Sequence, residues 1–372
     1  MTKYNWQQHD WPDFQYDLSP LQESLFFIAE KMGLVAGKIN HLSEHLQTDA
    51  AVEFMVEEAI KSSQIEGERI NRIDVRSSIK NKLGLNKKII PVHDKRAQGI
   101  AELMLDVRKT FNQPLSEKKL FAWHTMLFSD SYHSDIKIGC WRTDEEPMQI
   151  ISGHYGKVKI HYEAPPATRV PEEMRQFIRW YNQSAPGKSH AIPFAPVRAA
   201  IAHLYFESIH PFDDGNGRIG RAIAEKTLSQ GLGYPVVISL SQVIEANKKE
   251  YYAALKFASH TNKITAWLNY FLHMILQAQD EVITQINFIL QKSLFFQTFE
   301  NKFNERQLKV INRMMQAGIK GYEGGMSAKK YMAITRTSKA TATRDLQDLV
   351  EMKALKQVGS GRSVRYHLFL KK

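Results

Sequence analysis

At 372 residues the chain is longer than one ordinary domain, and dividing by about 150 suggests two or three. With 43% hydrophobic and 24% charged residues it can bury a real core, which excludes a mostly disordered chain. No run approaches the roughly 18 apolar residues of a membrane-spanning helix. Cys140 is the only cysteine, so an internal disulfide and a cysteine metal cage are both excluded. The start is polar and aromatic, without a basic region leading into an apolar run, and the expected location is a reducing cytoplasm. Residues 301–372 carry 16 Lys and Arg against 5 Asp and Glu, which equals the whole net charge of +11. A neutral body followed by a basic tail predicts two jobs, the second with a polyanion as candidate partner.

In chain order, apolar residues recur at helical spacing over 21–39, 51–62, 100–110, 117–128, 171–182, 196–208, 218–231, 248–258 and 265–294. Pro171 and Pro196 fit the first helical turn, where a missing N–H costs nothing. Between Gly139 and Pro166 the pattern changes. Gln149 to Gly153 and Lys157 to Tyr162 alternate as strands around His154-Tyr155-Gly156, a short hairpin. The tail predicts three helices, at 305–315, 327–332 and 337–352, with Thr337, Ser338 and Thr341 as candidate N-caps. Strands at 355–358 and 363–370 follow, joined by Gly359-Ser360-Gly361. Three helices and two strands resemble a winged helix-turn-helix. The fold class is therefore mainly α, and three segments are expected: 1–95, 96–295 and 296–372.

The segment His210-Pro211-Phe212-Asp213-Asp214-Gly215-Asn216-Gly217-Arg218-Ile219-Gly220-Arg221 carries the chemistry. A Gly-Asn-Gly turn entering a helix aims backbone N–H groups outward at the helix's positive end, which suits phosphate. Arg218 and Arg221, three apart, reach the same side and can each grip phosphate oxygens by paired hydrogen bonds. Asp214 would repel a phosphate unless a bridging Mg²⁺ lay between them. His210 is the side chain whose ordinary pKa lets it accept a proton near neutrality. Singly, each residue reads more simply, as a core histidine, solvated arginines or a plain turn. Together at this spacing they describe a hydroxyl attacking a nucleotide phosphate.

This string matches every fixed position of the Fic signature, H-x-F-x-[D/E]-G-N-G-R-x-x-R, so the segment resembles the Fic family. The resemblance implies a helical core with a hairpin flap and transfer of AMP from ATP, with Mg²⁺, to a Tyr, Thr or Ser hydroxyl of a target protein or of the chain itself. By position, His210 would be the base and Asp214 the metal ligand. Gly215, Asn216, Gly217, Arg218 and Arg221 would hold the phosphates, and Phe212 would anchor the loop. Tyr251 and Tyr252 fit either the adenine pocket or the core. Upstream, Ser62, Glu66 and Gly67 match the family's inhibitory pattern [S/T]-x-x-x-E-[G/N], with Glu66 competing for Arg221. The same carboxylate is equally suited to orient a water that removes AMP.

The hairpin would then serve as a flap on which an extended target segment pairs. Thr337, Lys339, Thr343 and Arg344 could face a DNA groove, with Arg362 and Arg365 on phosphates. Winged helices also act as protein-contact or dimerisation modules, so a homodimer stays open. The competing class is a DNA-binding regulator whose Fic core only senses nucleotide.

Overall fold

The computed structural model describes residues 4–128, 136–152, 159–319 and 321–370. Its described residues form two compact units, one of residues 1–37 and 48–280, the other of residues 38–47 and 281–372. The chain is mainly helical, with two small two-stranded sheets. No helix among the described residues is long and apolar enough to cross a membrane.

The first unit holds most of α1 (Gln22–Asn40) and α2 (Glu44–Ile65), all but residues 38–47, followed by α3 (Arg72–Lys82), α4 (Lys95–Lys109) and α5 (Glu117–Phe128). A two-stranded ribbon comes next, β1 (Gln149–Ser152) and β2 (Lys159–Glu163), then α6 (Val170–Gln183), α7 (Ala195–Ile209) and α8 (Asn216–Leu232). The short α9 (Leu240–Ala246) and α10 (Lys248–Ala258) lead into α11 (Thr265–Thr298), whose residues divide between the two units. α7 is apolar on nearly all sides, the pattern of a central helix. From Val197 to Ile209 every residue is buried, and α7 pairs with α8. Trp123, Phe177, Tyr181, Tyr205, Phe206 and Phe212 fill the surrounding core, each worth about 1.5–3 kcal/mol when buried.

The hairpin expected between Ile150 and Tyr162 is an antiparallel ribbon with an irregularity between Ile150 and Ile151. Its expected turn at His154-Tyr155-Gly156 lies outside the described residues. Tyr162 ties the ribbon to α7 by donating to the Ser208 carbonyl at 2.6 Å.

The second unit contains α12 (Glu305–Met315), α13 (Ala328–Thr335) and α14 (Lys339–Glu351), then β3 (Leu355–Val358) antiparallel to β4 (Arg365–Leu368). Each helix opens on a side-chain cap: Asn304 (a capping box with Gln307), Ser327 and Ser338. Of the three cap candidates at the start of α14, Ser338 is the one used, accepting from the Thr341 N–H. Val310, Ile311, Met314, Tyr331, Leu346, Leu349 and Leu355 form its core. Asp345 accepts from Arg306 Nε at 2.9 Å and from the Tyr331 hydroxyl at 2.8 Å.

Candidate active site

The turn between α7 and α8 is held in shape by its own side chains. His210 closes α7 in the left-handed region, φ 50 and ψ 61, a conformation few non-glycine residues adopt. Gly215, at φ 81, is the N-cap of α8. Asn216 accepts from the Phe212 N–H at 2.9 Å and donates to its carbonyl at 2.7 Å. The Asn216 side chain thus braces the turn four residues back. At the first turn of α8, the N–H groups have no acceptor within the helix.

Phe212 is fully buried. It stacks on His124 at 4.2 Å between ring centroids and packs against Trp141 at 5.1 Å. His124 accepts from the Gly139 N–H through Nδ1 at 3.0 Å, so its Nε2–H donates to the Asp214 carbonyl at 3.2 Å. Burial pushes its pKa down to about 4. Arg142, also buried, donates through Nε to the His210 carbonyl at 2.8 Å and through Nη2 to the Pro165 carbonyl. A cation at the C-terminal end of α7 suits the helix dipole.

The reactive groups lie around this turn. His210 is largely buried, with 17% of its side chain exposed. Burial, with Arg142 adding to it, pushes its pKa down to about 4, so it is neutral at pH 7. Asp214 is half exposed, with Oδ1 accepting from the Gly215 N–H at 2.5 Å and lying 3.6 Å from Arg218 Nη2. Arg218 and Arg221 are both buried. Arg218 lies 5.0 Å from the centre of the Phe128 ring.

Both arginines are met by the segment that ends α2. Arg221 donates to Ser62 Oγ at 2.9 Å, to the Ser62 carbonyl at 3.0 Å and to Glu66 Oε1 at 2.7 Å. Arg218 donates to Glu68 Oε1 at 2.8 Å. Burial alone would raise the Glu66 pKa, but the charge and hydrogen bond of Arg221 hold it below its ordinary value of 4.5. Gly67, at φ 84, turns the chain after α2, and a side chain at Gly217 would run into the Glu66 carboxylate. The structure thus brings Ser62, Glu66, Gly67, Arg218 and Arg221 together.

The two tyrosines part company. Tyr251 is 2% exposed, and its hydroxyl lies 2.7 Å from His203 Nε2, which makes it core rather than pocket lining. Tyr252 is 44% exposed and meets Tyr251 edge to face at 5.2 Å. Burial and then Glu66 push its pKa up to about 12.

Sequence reasoning missed three residues that the structure brings to this turn: Glu68, Arg142 and His124. Glu68, two places after the Glu66 of the pattern, had a signal in its position beside a paired acid. Arg142 and His124 reach the turn from distant segments and left none.

Among the described residues no group of three or more His, Cys, Asp and Glu side chains forms a metal cage. Asp214 is a lone, half-exposed carboxylate and could hold Mg²⁺ in the way that ion favours, one or two carboxylates with substrate oxygens. The buried Arg218 Nε without a partner fits an anion close by.

The comparisons agree with this geometry. Residues 114–228 match the Fic/DOC family, and residues 4–85 match a domain described as of unknown function, DUF4172. Over 86 residues the chain is 38% identical to the protein adenylyltransferase Fic of Drosophila ananassae and to that of Drosophila melanogaster. The match covers 23% of this chain and 16% of the length of each relative. Among solved structures, a Fic family protein from Desulfovibrio desulfuricans has a TM-score of 0.53 at 21% identity, over 94% of this chain and 97% of its own. A Fic domain containing signaling protein from Bacteroides thetaiotaomicron gives 0.52 at 19%, over 70% and 97%. At that identity the likeness is one of fold. With the motif's histidine and carboxylate on the turn and its paired arginines at the start of α8, the chain carries a Fic/DOC family domain and fits a Fic family protein.

Proposed function

We propose that this chain is a protein adenylyltransferase, moving AMP from ATP to a Tyr, Thr or Ser hydroxyl of a target protein or of itself, and that Glu66 restrains it. The observation that carries the reading is the largely buried His210 at the end of α7 with two buried arginines at the start of α8, one already gripped by Glu66 at 2.7 Å.

His210 takes the proton of the incoming hydroxyl as its oxygen bonds to the α-phosphorus. The bond to the pyrophosphate oxygen breaks in the same displacement. Arg218, Arg221 and the N–H groups of Asn216 and Gly217, joined by that of Gly215 once Asp214 Oδ1 releases it, bind the phosphates and take up the negative charge that grows on the leaving group. Asp214 would hold Mg²⁺, which supplies charge neutralisation at the phosphate oxygens. Asn216 and His124 keep the turn rigid, so that positioning contributes to the rate. Tyr252 is the tyrosine available to the adenine. β1 and β2 offer an edge for an extended target segment. The domain reading stays as 1–95, 96–295 and 296–372, in a cytoplasmic protein.

Labelled ATP with Mg²⁺ tests this. The Glu66→Gly chain should label itself or a lysate protein, and Glu66→Gly with His210→Ala should not. Absence of label from the Glu66→Gly chain refutes the reading. AMP removal through a Glu66-oriented water is the second enzymatic reading, and release of AMP from a labelled target by the unaltered chain would favour it.

For the tail we propose a winged helix that contacts DNA, on the observation that Lys339 and Arg344 stand exposed on α14. Full-chain binding to duplex should weaken steeply with salt. A chain that binds duplex and never labels would be the nucleotide-sensing regulator instead.

A further inference from the structure

Two surfaces of the first unit leave large apolar side chains in solvent, and their charges are opposite. One is the outward face of α1. Leu25, Ile28, Met32 and Val35 bury the other side of that helix, yet Phe26 is 67% exposed, and Phe27 and Leu34 are exposed with it. Glu23 and Glu30 stand exposed in the same stripe, because residues three, four and seven apart share a helix face. The nearest cation in sequence, Lys31, is already paired with Asp280 at 2.5 Å. Residues 4–30 contain five Asp and Glu and no Lys or Arg.

The other surface is the loop from α3 to α4. Ile89 is 84% exposed at its tip, with Leu83, Leu85 and Ile90 exposed around it. The loop is closed across its mouth. Asn81 Nδ2 donates to the Ile90 carbonyl at 2.8 Å, and Asn81 Oδ1 accepts from the Ile90 N–H at 3.1 Å and from the Asn86 amide at 2.8 Å. The Leu85 N–H adds a bond to the Lys80 carbonyl at 2.9 Å. A loop ordered before any partner arrives lowers the entropic cost of docking. Residues 75–93 contain five Lys and Arg and no Asp or Glu. Arg76, Lys80 and Lys82 are paired with Glu53, Asp49 and Glu102, which leaves Lys87 and Lys88, both exposed, to face a partner.

Exposed apolar patches mark contact sites, and the charge around them selects the partner. Here an acidic apolar stripe and a basic apolar loop belong to one chain, and each stands uncovered on it. A second copy therefore carries the complement of both. We infer that the α3–α4 loop docks on the outward face of α1 of a second copy, Lys87 and Lys88 meeting Glu23 and Glu30 while the aliphatic side chains cover Phe26 and Phe27. Made twice, this contact between unlike patches closes a two-fold pair. Patches of this size are small for a permanent complex, so the pair exchanges with monomer.

Sedimentation velocity of the full chain tests this. Over rising micromolar concentrations a monomer should pass into a dimer, and high salt should weaken it. Lys87→Glu with Lys88→Glu, or Glu23→Lys with Glu30→Lys, should raise the dissociation constant by about tenfold or more, because like charges then face each other. An equimolar mixture of the two reversed chains should associate as the parent does, since both contacts again join opposite signs. All four side chains are exposed, and thermal melts would check that the variants fold alike. A monomer at every concentration overturns the inference, as does association that the reversals leave unchanged or a mixture that stays monomeric. Binding to phosphatidylserine vesicles and not to phosphatidylcholine vesicles, without self-association, would assign the loop to a lipid surface and overturn it too.

Discussion

Removal of the Glu66 carboxylate should move stability and nucleotide affinity in opposite directions. Arg221 has 2% of its side chain exposed, against 27% for Glu66. Breaking a fully buried ion pair costs about 3–5 kcal/mol. Here the acid is partly solvated and the two Arg221 hydrogen bonds to Ser62 survive, so about 1.5–3 kcal/mol, a charge-assisted hydrogen bond, is the better figure. At about 2–4 °C per kcal/mol, Glu66→Gly should lower the melting temperature by about 3–12 °C. The same free energy returns when a γ-phosphate takes the vacated place on Arg221, and 1.4 kcal/mol per decade makes it about 10–150-fold in ATP affinity. Scanning fluorimetry with and without nucleotide, and calorimetric titration with Mg²⁺ and ATP or ADP, would measure both. ADP is the decisive control, because it has no γ-phosphate to claim the arginine. Equal gains for ATP and ADP, or a variant that melts where the parent does, would refute the competition.

The companion pair should behave in the same sense but more weakly. Glu68→Ala frees Arg218 from its 2.8 Å contact and should raise ATP affinity about threefold, less than a full charged hydrogen bond because Glu68 is a quarter exposed; unchanged affinity by titration would count against it. Asn216→Ala leaves the Phe212 N–H and carbonyl without their partner, which should cost about 2 kcal/mol or more in urea unfolding, with labelling lost in the Glu66→Gly background. Burial pushes the His203 pKa down to about 4, against 6.5 for the free side chain. The unfolded chain therefore binds the proton first, and this stability is full above pH 6.5 and lost as pH falls toward 4. In His203→Gln the urea midpoint at pH 5, relative to pH 7, should be higher than in the parent, because this one loss is removed while those of His124 and His210 and the opposing gains of the buried Glu207 and Glu225 remain; an unchanged pH dependence would be contrary.

Most of the helices were legible because apolar spacing and caps are local, whereas α3 and the short α9 were not among those expected. α12 matches its expected bounds at both ends, and Ser338 could be picked out beforehand as one of three caps. The ribbon's position was legible from strand alternation, whereas the irregularity between Ile150 and Ile151 has no local signature. For the candidate site, the turn from His210 to Arg221 was readable because one short string holds nearly all the groups in order. What sequence spacing could not carry was contact at long range. His124, Trp141 and Arg142 lie dozens of residues before the turn they support, and only packing brings them to Phe212 and the His210 carbonyl. Tyr251 and Tyr252 are neighbours in sequence, so nothing local told which one the core would absorb; the His203 partner settles it for Tyr251.

The end of α2 is fastened on two sides. Lys248 of α10 donates to the Gln64 and Ile65 carbonyls at 2.7 and 3.2 Å, and Lys61 pairs with Glu245 of α9 at 3.0 Å. Further back, Val52, Val56 and Ala59 lock the same helix into the core. Lifting α2 away would open that core, which is far more expensive than turning one carboxylate. On the proposed reading, release is a torsion in the last turn, and α10 is the lever: it bears both the lysine that ties this turn and the ring of Tyr252. A nucleotide base settling against that ring would tug on the very strap that keeps Glu66 in place.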